Sequence, residues 1–498
     1  MTANELIDTL RNEFIEEHIR PQERENLIVV NHVEQRDVKG YHGREILELL
    51  QNADDAYQKL INSGKTPDCE LEIIISYINN ILTISNTGTF FDADGVKAIV
   101  QGNNSPKRGG YIGNKGTGFR SILNWAKAVS IDSGEFHIFF SEEIANRIFE
   151  DIRNMPQIQK QLEKEPKLYI PMLAVPENKK NAKIDDRTTI EILINPDKSK
   201  DEYSVQKQID ELDLRILLFL PNTNRIEIKT EDKIIIYERV KDDSSPEVLL
   251  EKKVNGEIVA KEDFLLFEKK LENFAIVDNE FRDARLSIAV SKSMDSMENA
   301  RLYSFFPVLK ASSPFKCLFH ATYELDDQRN NLQDNQINYN LIKEQLCFLF
   351  NDVANYFIEQ KDYKTLYEII VPELGSFYIF KQPFFVFEKF GIDDYYLELF
   401  GKSKIFRTVN GLLVSLEDKP IIIKGEYPKK FKGPGFESLI EPIENQNILE
   451  LIKRYSDKYK TKFDISDSEL LEVINKQSEY WGISDQVNVW RIFVANAT

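Results

Sequence analysis

The sequence predicts an α/β fold, strands interleaved with helices. Apolar and β-branched residues alternate over short runs, as in CELEIIISYINNILTISNTG (69–88) and RTTIEILIN (187–195); this is the period of half-buried strands. Other runs lack Pro and Gly and carry the period of an amphipathic helix, ELLQNADDAYQKL (48–60) first among them. The two kinds of run interleave along the chain, the order that lays helices on a sheet.

Composition agrees with a folded protein of several domains. The 498 residues suffice for two to four, and 42% apolar with 29% charged residues is a globular composition. The net charge of −18, from 64 basic and 82 acidic residues, argues against a broad nucleic-acid-binding surface. Cys69, Cys317 and Cys347 are an odd set without a CxxC pair, which fits free thiols in a reducing compartment. The five histidines show no metal-ligand spacing. No apolar run reaches the ~18 residues of a membrane span, and the acidic, polar start MTANELIDTLRNEF is not a secretory signal. A cytoplasmic protein without membrane contact is the expectation.

The elements follow in order. Residues 1–40 read as one or two helices joined near Pro21, and the helix at 48–60 comes next. The run at 69–88 folds back at Asn79-Asn80 as a strand pair. FFDADGVKAIV (90–100) is a helix with Asp92 as N-cap, and QGNNSPKRGGYIGNKGTG (101–118) is loop by composition. FRSILNWAKAV (119–129) reads as helix, SIDSGEFHIFF (130–140) as strand, and 187–195 as a further strand, closing a first domain over 1–200. An α/β middle domain follows over 201–365. In it SVQKQIDELDLRILLFLPN (204–222) is helical, RIEIKTEDKIIIYERV (225–240) is a strand pair, and NYNLIKEQLCFLFNDVANYFIEQ (338–360) is a helix. Residues 366–498 form a smaller α+β region, with a hairpin signal at Asn410-Gly411 and a helix at 467–481. The closing VNVWRIFVANAT has no cap signal, which suggests a piece of a longer protein.

Four short motifs carry chemistry. Glu48, Asn52 and Asp55 stand at i, i+4 and i+7 and share one side of their helix, opposite Leu49, Ala53, Ala56, Tyr57 and Leu60. Alone, that side is a solvated acidic face; two acids with a carboxamide also suit a site for metal and water. SNTGTFF (85–91) puts Gly88 just past a strand, where backbone approaches a ligand or simply turns. GNKGTGFRS (113–121) runs Gly113, Gly116 and Gly118 into a predicted helix, with Lys115 inside the loop. Such a loop aims backbone N–H groups at an anion, or is a flexible surface loop. Thr188-Thr189 opens a strand, for which β-propensity alone is reason enough.

In sequence order these motifs resemble the Bergerat-fold ATPases, the GHKL group of gyrase, the ninety-kilodalton heat-shock chaperone, histidine kinases and MutL. ELLQNADDA (48–56) is similar to the family's N box, and GNKGTGFRS to the chaperone's GxxGxGFxS. LLQNADDA, NSPK (104–107) and IGNKGTGF (112–119) are similar to the sacsin-like branch. The resemblance covers residues 40–200 well, 200–350 loosely and the remainder thinly. It implies a Bergerat α/β sandwich and a slow, Mg²⁺-dependent ATPase that acts as a conformational switch. By the same resemblance Glu48 is the general base that activates water, Asn52 the Mg²⁺ ligand, and Asp55 a wall of the nucleotide pocket. Asn86 and Gly88 lie at the adenine side, with Thr188 or Thr189 in the water network there. Lys107, Gly113, Lys115, Gly116, Thr117, Gly118 and Phe119 surround the phosphates. YELDDQRNNLQDNQ (323–336) resembles the chaperone's middle-domain loop and implies Arg329 and Gln333 as contacts to the γ-phosphate.

One departure stands out. Where the family has DxGxG, this chain has Asn86 and, at the second glycine, Phe90. A carboxamide accepts a hydrogen bond but also donates, so adenine recognition is expected to be weaker or less selective. The partners implied are a protein client or partner subunit and a homodimer through the N-terminal helices. The output would be chaperone-like, or the motor of a larger effector such as an anti-phage defence protein. Two rivals compete: a DNA-acting ATPase of the gyrase or MutL kind, which the acidic charge disfavours, and a non-hydrolysing nucleotide sensor.

Overall fold

Two helices open the chain, α1 (Ala3–Ile19) and α2 (Asn26–Gly40), and α3 (Glu45–Asn62) follows. The computed structural model describes residues 1–463 except 20–25, 41, 65–68, 103–117, 181–184, 201–202, 243, 278–279, 294–300, 327–328, 373–389 and 423–436. The helix predicted at 467–481 lies outside the described residues. After α3 come β1 (Glu72–Ile78), β2 (Ile81–Asn86), α4 (Ala93–Gln101), β3 (Ala126–Ser133), β4 (Phe136–Ser141), α5 (Glu142–Ile152), α6 (Pro156–Leu162), β5 (Glu177–Asn178) and β6 (Thr188–Ile194). Then follow α7 (Val205–Asp210), β7 (Arg225–Thr230), β8 (Ile234–Lys241), β9 (Glu247–Val254), β10 (Glu257–Val277) and β11 (Glu280–Ser291). The second half adds β12 (Arg301–Ser304), β13 (Phe306–Ser312), β14 (Leu318–Ala321), α8 (Gln336–Phe348), α9 (Ala354–Glu359) and α10 (Tyr363–Ile370). It closes with α11 (Asp393–Lys402), β15 (Phe406–Arg407), β16 (Leu413–Val414) and α12 (Gln446–Tyr459).

The protein is a mixed α/β molecule with one large mixed sheet. Among the described residues its fourteen strands run β13-β12-β14-β11-β10-β9-β8-β7-β1-β2-β6-β3-β4-β5. Most neighbours are antiparallel; β1 with β7 and β12 with β14 are parallel. The β1–β2 turn is made by Asn79 and Asn80, both at positive φ (52° and 59°), the backbone that a tight hairpin needs and that asparagine tolerates. Asp92 caps α4 as its type and position predict, accepting from Gly95 N.

Three expectations differ in detail. FRSILNWAKAV is not one helix: Gly118–Asn124 is a 3₁₀ segment, and β3 begins at Ala126. Trp125, fully buried, ends the turn by donating its backbone N to Ile122 O (2.9 Å) and its indole Nε1 to Tyr203 O (3.1 Å). The helix expected over 204–222 is split into α7 and a 3₁₀ turn at Leu214–Leu218, each started by its own cap, Ser204 and Asp213. The long helix expected over 338–360 is divided into α8 and α9 by a π-helical turn at Leu349–Val353.

Alternation along the strands sends one set of side chains to the helices. Ile73 and Ile75 of β1, Leu82 and Ile84 of β2, and Ile190, Ile192 and Ile194 of β6 pack with Leu49, Leu50 and Ala53 of α3 and with Val96 and Val100 of α4. Burying each such aliphatic side chain contributes about 1.5–3 kcal/mol. This core continues through Val205–Leu220 and β7 to Phe264 of β10. A second core begins at Leu265 and gathers β11, β14 and helices α8 to α12. The two cores share strands β10 to β14, whose alternate side chains go to one core and then the other, as Leu265 and Leu266, Leu302 and Tyr303, and Leu318 and Phe319 do. Among the described residues no helix is long and apolar enough to cross a membrane.

Candidate nucleotide site

The floor of the site is α3, and its start is fixed by a buried acid. Glu45 accepts from Gly43 N (2.9 Å), Asn124 Nδ2 (3.0 Å) and Gln208 Nε2 (2.6 Å) and pairs with His42 Nδ1 (2.9 Å). Its middle is fixed by Asp54, on the side away from the site. Asn222 N, Asn222 Nδ2 and Thr223 Oγ1 all donate to this carboxylate, at 3.1, 2.9 and 2.7 Å. Burial raises the Asp54 carboxyl above its ordinary value, and the three donors only partly offset that.

After β2 the chain crosses α3 closely. Thr89 N donates to Ala56 O (3.1 Å), and Gly88 sits at φ 134°. A Cβ on Gly88 would lie 3.0 Å from Tyr57 N. The sequence reading placed Gly88 where backbone approaches a ligand or turns; what it approaches is the backbone of α3, and Gly88 does not line the cavity beside that helix.

A cavity of about 200 Å³ lies between α3, the ends of β2 and β6, and α4. It is lined by Glu48, Asn52 and Asp55 from α3, Asn86 from β2, Gly118 and Phe119 from the 3₁₀ segment, Thr188 from β6, and Arg329 from 141 residues further along the chain. Glu48 and Asp55 are buried, at 2% and 1% exposure. Alternation separates the two threonines. Thr188 pairs with Asn86 across the strands and lines the cavity, while Thr189 faces the other side of the sheet and bonds Ser85 Oγ (2.8 Å). Asn86 Nδ2 donates to Thr87 O (2.9 Å). The carboxamide oxygen is therefore the end left for the cavity, the acceptor role that an aspartate would have.

Gly118 has a direct physical reason. A Cβ at this position would overlap Glu48 Oε2. The backbone of Gly118 covers one carboxylate oxygen of Glu48, and Arg329 takes the other. Arg329 Nη1 donates to Glu48 Oε1 (3.1 Å) and to Gln51 Oε1 (2.7 Å). Gln333 does not come to the cavity; its side chain donates to Leu325 O (2.8 Å) within its own loop. Lys107, Gly113, Lys115, Gly116 and Thr117 lie outside the described residues.

Several residues of the site escaped the sequence reading. Gln51 stands three residues after Glu48, so its helical neighbourhood was legible though its role was not. Ser133, at the β3–β4 turn, joins Phe91 N (2.9 Å) to Thr188 Oγ1 (2.6 Å), a link that only the fold creates. Arg120 lies in the recognised GFRS stretch but serves the frame. It pairs with Glu34 (3.0 Å) and donates to Ile99 O and Val100 O at the C-terminal end of α4, where a cation complements the helix dipole. Phe90, where the resembled DxGxG motif has its second glycine, packs over Gly134 and lines the cavity. Thr89 Oγ1 is a buried hydroxyl without a hydrogen-bond partner among the described residues, and Thr89 also lines the cavity.

No protein-family profile matches the chain. Over 99 residues, 19% of its length, the chain is 34% identical to Protein NO VEIN of Arabidopsis thaliana. The matched stretch is 3% of that plant protein, so the chain spans a small part of its length.

Proposed function

We propose that this protein binds ATP with Mg²⁺ in the cavity over α3 and hydrolyses it slowly, as a Bergerat-type switch whose second element is Arg329. The observation that carries the reading is the meeting of Glu48, Asn52, Asp55, Asn86, Gly118, Thr188 and Arg329 at one cavity, from sequence positions up to 281 residues apart. The donor set fits the ligands. The Asn52 carboxamide offers a hard oxygen of the kind Mg²⁺ takes, and one such protein contact suffices when phosphates supply others. The Asn86 carboxamide oxygen and the Thr89 hydroxyl, unpartnered among the described residues, suit a base rich in donors and acceptors. Bound Mg²⁺ would neutralise phosphate charge.

Glu48 then accepts a proton from the water that attacks the γ-phosphorus, while the bond to the ADP oxygen breaks. A positioned carboxylate of this kind contributes ~10²–10⁴-fold. Arg329 supplies positive charge to the transferring phosphoryl group. The net charge of −18 favours this reading over a DNA-acting one.

The test is nucleotide binding and phosphate release by wild type, Glu48→Ala and Glu48→Gln, with and without Mg²⁺. Wild type is expected to bind ATP and release phosphate only with Mg²⁺. Both variants are expected to bind, with release reduced at least ~100-fold. ATP binding without turnover by wild type would leave a nucleotide sensor, and no binding by any of the three proteins would end the reading.

A further inference from the structure

Arg329 is held in a way that the proposed hydrolysis does not require. Its side chain is 10% exposed, and the guanidinium spends one nitrogen, Nη1, on two acceptors of α3. The shorter contact is to Gln51 Oε1, at 2.7 Å, and Gln51 itself is 1% exposed. Described residues around Arg329 hold its backbone in place. Arg329 stands at φ 53°, a left-handed backbone uncommon for a residue with a Cβ. Arg329 N donates to Asp326 O (3.0 Å), and Asn330 N to Asp326 Oδ1 (2.8 Å). Asn338, fully buried on α8, ties the two ends of the loop together through Glu324 O (2.7 Å) and Gln333 O (2.8 Å). With the backbone at Arg329 held by these bonds, the side chain is the part that can change partner.

We infer that Gln51 is a positioning residue: with Glu48 it forms a resting seat for Arg329 in the nucleotide-free protein, and a bound phosphate must draw the guanidinium away from that seat. The inference rests on the ATPase reading above and adds to it a competition for one cation. In the resting seat Arg329 occupies Glu48 Oε1 while the Gly118 backbone covers Oε2, so a water has little access to the carboxylate. Departure of Arg329 uncovers Glu48 and at the same time strands the buried Gln51 oxygen, whose lost bond opposes departure. Gln51 thus sets how readily the site is uncovered, without touching the reacting atoms.

Opposite substitutions at one position test this. Gln51→Leu removes the acceptor and Gln51→Glu strengthens it with a charge. In nucleotide-free protein, amide hydrogen exchange over residues 324–335 should rise in Gln51→Leu and fall in Gln51→Glu. With ATP below saturation, phosphate release should rise about tenfold in the first and fall about tenfold in the second, one lost or gained hydrogen bond in each direction. In an Arg329→Ala background the two substitutions at 51 should no longer differ. A purely structural Gln51 would move exchange the same way in both variants, and that result overturns the inference whether or not the protein hydrolyses ATP. If exchange splits as expected but wild type releases no phosphate, the resting seat stands and the ATPase reading falls.

Discussion

At the scale of single residues, the site is a matter of which atoms leave room for which others. Gly118 is the sharpest case, because any side chain there meets the Glu48 carboxylate. Gly118→Ala is expected to displace Glu48 by the order of an ångström and to lower phosphate release about 100-fold, the usual loss for a misplacement of that size. Nucleotide affinity, measured by calorimetry, should change far less. The sequence made part of this legible. Glu48, Asn52 and Asp55 share a face because helical spacing requires it, and Gly118 stood in a glycine-rich loop. That Gly118 closes over Glu48, and that Gln51 rather than Gln333 is the amide meeting Arg329, depends on how distant segments pack. No local pattern encodes that.

At the scale of elements, α3 is a beam pinned on two sides. Its cavity side carries Glu48, Asn52 and Asp55; its other side carries Asp54, clasped by the turn at Asn222 and Thr223 that leads into β7. Asp54→Ala would leave the Asn222 N–H and the Thr223 hydroxyl, both buried by the contact, without an acceptor. About 3 kcal/mol of stability should be lost, read from urea unfolding. The boundaries of elements show where sequence patterns are blind. The Asn79-Asn80 turn and the Asp92 cap were readable because each rests on one residue's own chemistry. The switch from 3₁₀ turn to strand at Trp125 was not, since FRSILNWAKAV satisfies a helical period as well as a strand one. Only the burial of Trp125 against Tyr203 decides it.

At the scale of the whole molecule, the two cores are divided by strands of one sheet, and His320 packs on the first core's side, between Phe319 and Ala321 of the second. This β14 residue is fully buried, stacks on Phe219 (5.1 Å between ring centroids) and meets Phe305 edge-on (4.8 Å). Burial, helped by the charge of Arg285, pushes its imidazole down to about 3. In the unfolded chain a histidine titrates near ~6.5. Above that pH neither state is protonated and the buried ring carries no penalty. As pH falls from ~6.5 toward 3 only the unfolded chain gains the proton, so stability is lost at about 1.4 kcal/mol per pH unit. His320→Phe should therefore remove about 2 kcal/mol of the stability lost between pH 6.5 and 5, seen as converging denaturation curves at the two pH values. The breadth of the sheet carries a further consequence, for solubility. A sheet of fourteen strands exposes backbone at its margins, and unpaired margins recruit other chains. Here one outermost strand, β5, is two residues long, and the other, β13, contains Pro307, which offers no N–H, and spends Lys310 N on Asn330 O (2.8 Å). The stretch of β10 that outruns β9 bears Glu268, Lys269, Lys270 and Glu272, with Lys269 paired to Asp352 (3.2 Å) and Lys270 to Asp283 (2.8 Å). Removing these guards, for instance by Pro307→Val together with Lys270→Val, would leave the site untouched and turn the sheet's margins into templates for self-association.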